Sequence, residues 1–421
     1  MLKRMRAHPE TEAEAEATDA PLGRASERYE RRRADIVAAA IPVLNDFGFK
    51  GMRLTTVAEL IGLRATGVTY YFSRKEELAV ACFESGIAIF HELLSVAERE
   101  STVAARVAKL ISLFVERDAA VRRGKVTPLA SFSSIRALEG EHHERVARSY
   151  KDMFRRVRSL LEGPELTALD KTARTMRTLS LLEQLYWANA WLADYDSEDA
   201  PRIAARMTDI VLYGLAPPGA EFRPGRVSLR PLEWDADAAK ESFLLAATRE
   251  INARGYSGAS VERISASLNV TKGAFYHHND AKDDLVAACF RRSFGIICDA
   301  QRQVRGEGPS EWWRLTTAVS ELVRFQFCAE GPLMRTSVFS SMPREHQVEI
   351  LNLSNKTARQ FAAMISDAIA EGTARPVDTV IAAHLLNASI NAAADLRWRT
   401  APRNRDPLVY VRPLFCGILK P

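Results

Sequence analysis

The chain has 421 residues, enough for about two to four domains, with 47% hydrophobic and 26% charged side chains and a mean hydropathy of −0.16. This is the balance of a folded protein in water, and no apolar run is expected to reach the length of a membrane-spanning helix. A net charge of +5 and a pI near 8.9 lean towards a polyanionic partner.

The basic start, Met1 to Arg6, leads into the acidic residues Glu10 to Glu16 where a secretory signal would be apolar. Residues 1–25 show no apolar periodicity and are expected to be a disordered tail. A helix is predicted from about Arg28 to Phe47, with Ile36, Ala39, Ala40, Val43 and Leu44 on one face and Gly48 as its stop. A second helix, about Leu54 to Ile61, turns inward Leu54, Val57, Ala58 and Ile61. Gly62 makes a tight turn into a short third helix, about Arg64 to Tyr70; Phe72 packs beneath it and Lys75 opens a long fourth helix. Two short helices joined by a tight turn and braced by a third form a helix-turn-helix, whose second helix enters the DNA major groove. Arg64, Thr66 and Thr69 face outward, side chains suited to base edges and phosphates.

The chain then repeats itself. Asn45, Gly48, Gly51, Lys75, Leu78 and Ala81-Cys82-Phe83 recur 207 positions later as Asn252, Gly255, Gly258, Lys282, Leu285 and Ala288-Cys289-Phe290. Phe132-Ser133-Ser134 recurs as Phe339-Ser340-Ser341, and Gly214-Leu215 answers Gly417-Ile418 at an offset of 203. We read this as a tandem duplication. Ala216 to Ala238, with four prolines and two glycines, is expected to be the linker. In the second copy Phe243, Ala246, Ala247 and Ile251 precede Gly255, and Val261, Ile264 and Leu268 follow. Asn269, which tolerates the left-handed turn conformation, stands in the place of Gly62.

At this point a resemblance is legible. Val270-Thr271-Lys272-Gly273-Ala274-Phe275-Tyr276-His277-His278 followed by Lys282-Asp283-Asp284-Leu285 resembles the DNA-binding signature of the tetracycline-repressor (TetR) family. Leu63 to Phe72 followed by Lys75-Glu76-Glu77-Leu78 resembles it too, so the likeness covers about fifty residues per copy. By position, Tyr71 and His278 resemble the family's phosphate-binding residue at the end of the recognition helix, and Lys75 and Lys282 its phosphate-binding lysine. The copies depart from the pattern at Thr69, where tyrosine is usual, at Arg53, where a capping Ser or Thr fits better, and at Asn279, which replaces the aromatic seen as Phe72. The expected DNA-binding set is Arg31, Arg53, Arg64, Ala65, Thr66, Thr69, Tyr70, Tyr71 and Lys75 in the first copy. In the second it is Ser260, Thr271, Lys272, Gly273, Tyr276, His277, His278 and Lys282. Arg24 to Leu78 holds ten basic and seven acidic side chains, whereas Arg223 to Leu285 holds nine of each, so the first copy is expected to bind DNA more strongly.

The resemblance implies an all-α chain with two tandem TetR-like units. The expected limits are a helix-turn-helix domain at 26–85, a helical ligand and dimerisation domain at 86–215, a linker at 216–236, and the second pair of domains at 237–292 and 293–421. It also implies operator DNA and a small, apolar effector as partners, with repression as the family's usual outcome. Tyr186, Trp187 and Trp191, with Phe132 and Phe339, are candidate effector contacts, although the same aromatic spacing also suits a plain core. The two units could pair within one chain as a pseudo-dimer, or two chains could form a homodimer.

Other chemistries find little support. Five widely spaced cysteines without a Cys-x-x-Cys pair read as buried thiols of a reducing compartment, which places the protein in the cytoplasm. The adjacent pairs His277-His278 and His142-His143 point about 100° apart on a helix and cannot chelate together, so no metal is expected. There is no phosphate-binding glycine loop, nucleophile elbow or paired catalytic-metal motif, so neither catalysis nor a cofactor is expected. The competing reading is a helical small-molecule sensor or interaction adaptor in which one or both helix-turn-helix units no longer read DNA.

Overall fold

The computed structural model describes residues 20–229, 238–256, 258–268, 282–335, 338–339, 342, 344–399 and 407–420, and every regular element among them is helical. The first half contains α1 (Ala20–Gly51), α2 (Leu54–Leu60), α3 (Ala65–Thr69), α4 (Lys75–Ala97), α5 (Val103–Arg122), α6 (Gly140–Ser159), α7 (Lys171–Leu192) and α8 (Ala200–Tyr213). The second contains α9 (Ala238–Arg254), α10 (Val261–Ser267), α11 (Lys282–Gln303), α12 (Glu311–Phe325), α13 (Arg344–Ala370), α14 (Thr379–Arg399) and α15 (Pro407–Cys416). Side chains that accept backbone N–H groups start several of them: Thr102 for α5, Asp170 for α7, Ser260 for α10 and Ser310 for α12.

Three expectations need correction. Helix α1 begins at Ala20, so residues 20–25 are helical and not part of a disordered tail; the Glu, Arg and Ala that follow favour the helix and space opposite charges four apart, as in Glu27 and Arg31. Gly48 stops the first helical run of α1 as expected: at φ 63° and ψ 174° it leaves the helical path, and one further turn follows because Phe49 and Met52 still have core to bury. The boundaries expected at 85/86 and 292/293 fall inside α4 and α11, each a continuous helix through the expected division. Helix α4 is, by length and composition, apolar enough to cross a membrane: within its 23 residues an 18-residue stretch has a mean hydropathy of 1.5. Its residues Leu78, Phe83, Ile87, Phe90 and Leu94 are instead buried against α1, α5 and α6, which use more than one face of the helix.

Residues at the 207 offset make the same contacts in both halves. The amide of Asn45 donates to Leu129 O (2.8 Å) and its oxygen accepts from Ser131 N (2.7 Å), fixing the loop ahead of a short 3₁₀ turn. Asn252 does likewise with Leu333 O (2.8 Å) and Arg335 N (3.0 Å). The thiols of Cys82 and Cys289 point at Val37 O and Leu244 O, and burial pushes both up to about 12, which leaves them inert as nucleophiles.

The halves meet in a four-helix bundle, α7 and α8 against α14 and α15. At its edge the ends of α8 and α15 cross at Gly214 (φ 69°) and Gly417 (φ 85°). The crossing is reciprocal: Leu215 N and Ala216 N donate to Phe415 O (2.8 Å each), while Ile418 N donates to Val211 O (3.0 Å) and Leu419 N to Leu212 O (3.3 Å). The charged contacts are one-sided, however. Arg375 pairs with the Asp209 carboxylate (2.8 Å) and also donates to Gly214 O, and Arg206 pairs with Asp378 (2.5 Å). The positions 203 beyond Asp209 and Arg206 hold Arg412 and Val409. Buried Arg177 donates to Ile418 O (3.0 Å) and Lys420 O (2.6 Å), satisfying the carbonyls beyond the end of α15.

Residues 216–229 of the expected linker are non-helical and docked. Gly225 N donates to Thr317 Oγ1 (2.7 Å), the Trp312 indole donates to Glu221 O (3.2 Å), and Phe222 stacks on Phe415.

Candidate nucleic-acid interface

The first helix-turn-helix is built from its interior outward. Val57 and Ala58 of α2, Val68 of α3 and the following Phe72 are buried together, and Gly62 at φ 64° turns the chain between the two helices. This leaves Arg64, Thr66, Thr69 and Tyr70 on the outer face of α3, with Tyr70 73% exposed; Ala65 is half-buried. The Thr69 hydroxyl donates to Thr66 O (3.1 Å), so that group is already partnered within the helix.

Several side chains hold this face in place. Tyr71 lies against Tyr29 of α1 at 4.8 Å between ring centroids, and Tyr70 meets both rings edge-on. The Arg33 guanidinium sits over the Phe72 ring at 5.0 Å. Arg33 is therefore used in packing and its neighbour Arg32 lies 3.8 Å from Asp35, while Arg31, one of the expected DNA contacts, stays exposed. Sequence reading missed Tyr29 and the packing role of Arg33, because only the folded unit brings their turn of α1 beside α3.

The two lysines at the starts of α4 and α11 occupy matching niches. Lys75 lies over the Phe49 ring (4.8 Å) and donates to Lys50 O (3.4 Å); Lys282 lies over Tyr256 (4.8 Å) and donates to Ala259 O (2.8 Å). Their surroundings differ. Burial, reinforced by the charge of Lys50 and opposed by Asp283, holds the Lys282 ammonium below the usual lysine range. Tyr256 hydrogen-bonds Asp283 in the same niche.

Arg53 and Ser260 also stand at equivalent places, as N-caps of α2 and α10. Ser260 accepts from Arg263 N (3.2 Å), whereas Arg53 makes no side-chain cap and is exposed. Arg53→Ser is expected to raise stability by about 1 kcal/mol through that missing cap; a thermal melt with no rise would mean that the orphan N–H groups of α2 are already well solvated. Thr271, Lys272, Gly273, Tyr276, His277 and His278 lie outside the described residues.

The candidate effector residues are distributed. Phe132 and Tyr186 meet edge-on at 5.5 Å and, with Phe90 and Tyr150, fill the interior of the first helical domain. Trp187 is half-buried. Trp191 faces the other half, its indole stacked on His384 of α14 at 5.3 Å. Phe339 is packed against the core of the second half.

The family model for bacterial regulatory proteins of the tetR family matches residues 243–289, from α9 through α10 into α11. Over that segment the chain is similar to the TetR family. Among its relatives, the TetC protein of transposon Tn10 from Escherichia coli is 26% identical over 134 residues, covering 32% of this chain and 67% of that protein. The HTH-type transcriptional regulator RutR of Escherichia coli (strain K12) is 31% identical over 94 residues, covering 22% of this chain and 44% of RutR. The chain thus spans about two thirds of the first relative and under half of the second. A TetR-family transcriptional regulator from Bordetella parapertussis 12822, of known structure, is 18% identical and covers 43% of this chain and 94% of its own, with a TM-score of 0.37.

Proposed function

We propose that this chain is a TetR-family, ligand-responsive, DNA-binding transcription repressor whose two units pair within one chain, reading a two-part operator as a pseudo-dimer. The units are residues 20–215 and 238–420, tied by the docked segment between them. The observation that carries this reading is the bundle of α7, α8, α14 and α15, with its reciprocal crossing at Gly214 and Gly417. A two-fold regulator needs such a joint to set its recognition helices about one helical turn of DNA apart. Arg64, Thr66, Thr69 and Tyr70 would read or line the groove in the first unit, and Tyr71 and Lys75 would hold phosphates. Thr271, Lys272, Gly273, Tyr276, His277, His278 and Lys282 would do the same in the second.

A small, apolar effector would enter the first helical domain by displacing the Phe132 and Tyr186 rings that now fill it. Its binding would favour a conformation with the wrong spacing for DNA. Like its bacterial relatives the protein would work in the cytoplasm.

Selection of the purified chain against random duplex DNA, repeated with Lys75→Ala and Lys282→Ala, tests the reading. The expected result is an enriched two-part site that both variants bind more weakly, with the larger loss for Lys75→Ala because the Lys282 charge is partly engaged inside the protein. Loss with Lys75→Ala alone would mean that the second unit is structural. No enrichment would leave the sensor or adaptor reading in its place.

A further inference from the structure

One ion pair occurs in both halves with its partners reversed. In the first half Arg145 of α6 grips Glu84 of α4 through two bonds, Nε to Oε1 (2.6 Å) and Nη2 to Oε2 (2.7 Å). In the second half the residue 207 beyond Glu84 is Arg291 of α11, and it grips Glu349 of α13 in the same way, at 2.6 and 3.1 Å. Glu349 stands 204 beyond Arg145. The same register places buried Val146, Val157 and Leu161 opposite buried Ile350, Phe361 and Ile365, and Glu141-His142 opposite Glu345-His346. The bond is conserved in geometry between the halves and opposite in polarity.

A second position on the same seam adds to this. Arg156 of α6 holds both oxygens of Glu98, beyond the end of α4, at 2.7 Å each. The corresponding residues of the second half are Gln360 and Arg305. If α6 docked on α11, Arg145 would meet Arg291 and Arg156 would meet Arg305. If α13 docked on α4, Glu349 would meet Glu84, and Glu98 would face Gln360 with no cation.

A chain that contains a near-copy of each of its helices is exposed to exchange of those copies, a characteristic failure of repeat and multidomain proteins. We propose that the reversed charges are an address on the α4–α6 and α11–α13 seams: each seam accepts the helix of its own half and rejects the equivalent helix of the other. The inference rests on the two-unit reading but not on DNA binding. Exposed ion pairs add little to the stability of a correct fold. Their leverage is on the difference between correct and exchanged pairings, where attraction becomes repulsion.

The test uses the full chain. Glu84→Arg combined with Arg145→Glu keeps one pair in each half but gives both seams the same polarity, so exchanged helices become complementary at that position. The expected result is a native denaturation midpoint close to that of the parent chain, with the refolding yield of correct monomer lowered about twofold or more and an exchanged or dimeric species seen by light scattering. Adding Arg291→Glu and Glu349→Arg restores opposite polarity and is expected to restore the yield. Parental yield and rate in the double variant would overturn the proposal. So would a quadruple variant that refolds no better than the double, since the defect would then be local and not one of pairing. Loss of DNA binding in any of these variants bears on the regulator reading alone.

Discussion

Alanine at Gly214 is expected to lower stability by about 3 kcal/mol or more, the range of strained-backbone and overpacking lesions combined. Gly214 sits at φ 69°, ψ −156°, a region that is essentially glycine-only. A Cβ there would lie 2.3 Å from Phe415 O and 2.4 Å from Gly417 N. Both are backbone atoms, so no rotamer change relieves the contact, and the crossing has to open. Opening it strains the bonds from Leu215 N and Ala216 N to Phe415 O and exposes the bundle edge between the halves. Gly417→Ala is expected to act from the other side, since its Cβ would lie 2.2 Å from Leu212 O. Gly219→Ala is the control: its φ of 80° is equally unfavourable, yet nothing lies within 4 Å of the added carbon, so only the conformational cost of about 1 kcal/mol applies. Denaturant melts of the three variants decide the matter. If Gly214→Ala and Gly219→Ala unfold together, the halves are not joined tightly at this point.

Arg64→Ala is expected to weaken operator binding by about 1–3 kcal/mol, roughly five- to 150-fold, and to relax specificity at one base position. Arg64 is exposed as the N-cap of α3, at the end of the recognition helix that reaches base edges in helix-turn-helix proteins. Lys75→Ala provides the contrast. A lost phosphate contact weakens binding to all sequences alike and lowers the slope of log affinity against log salt by about one. Affinities at several salt concentrations, on the selected site and on scrambled duplex, separate the two. Equal losses on both duplexes for Arg64→Ala would assign Arg64 to the backbone and leave base reading to Thr66 and Thr69.

Sequence periodicity made the fold class and the layout of the first helix-turn-helix legible. Gly62, Phe72 and Lys75 all mark local events, a turn, a plug and a helix start, which depend on a few neighbouring residues. Contacts between distant segments were harder to read. Trp191 has the helical spacing of a pocket residue, but its partner is His384, and no local pattern states which helix faces it across the bundle. Gly214 and Gly417 were visible as a matched pair, although nothing in either segment says that the two glycines touch. The interior start of α1 at Ala20 was missed because strong helix formers without an apolar stripe carry little periodic signal. The reversed pair Glu84–Arg145 and Arg291–Glu349 was open to inspection once two registers were known, and the second register became clear only from which faces of α6 and α13 are buried.

The one-sided charges of the bundle have a consequence for genetic orientation. A homodimer with two-fold symmetry can be turned end for end on its operator and nothing changes. Here Arg375 meets Asp209, while the place corresponding to Asp209 holds Arg412, and Arg206 meets Asp378, while its own counterpart is Val409. The two ends of the pair are chemically distinct, and so are the residues expected to face the groove. In the two-unit reading such a protein sits on DNA pointing one way, and an operator between two divergent promoters would tell it left from right.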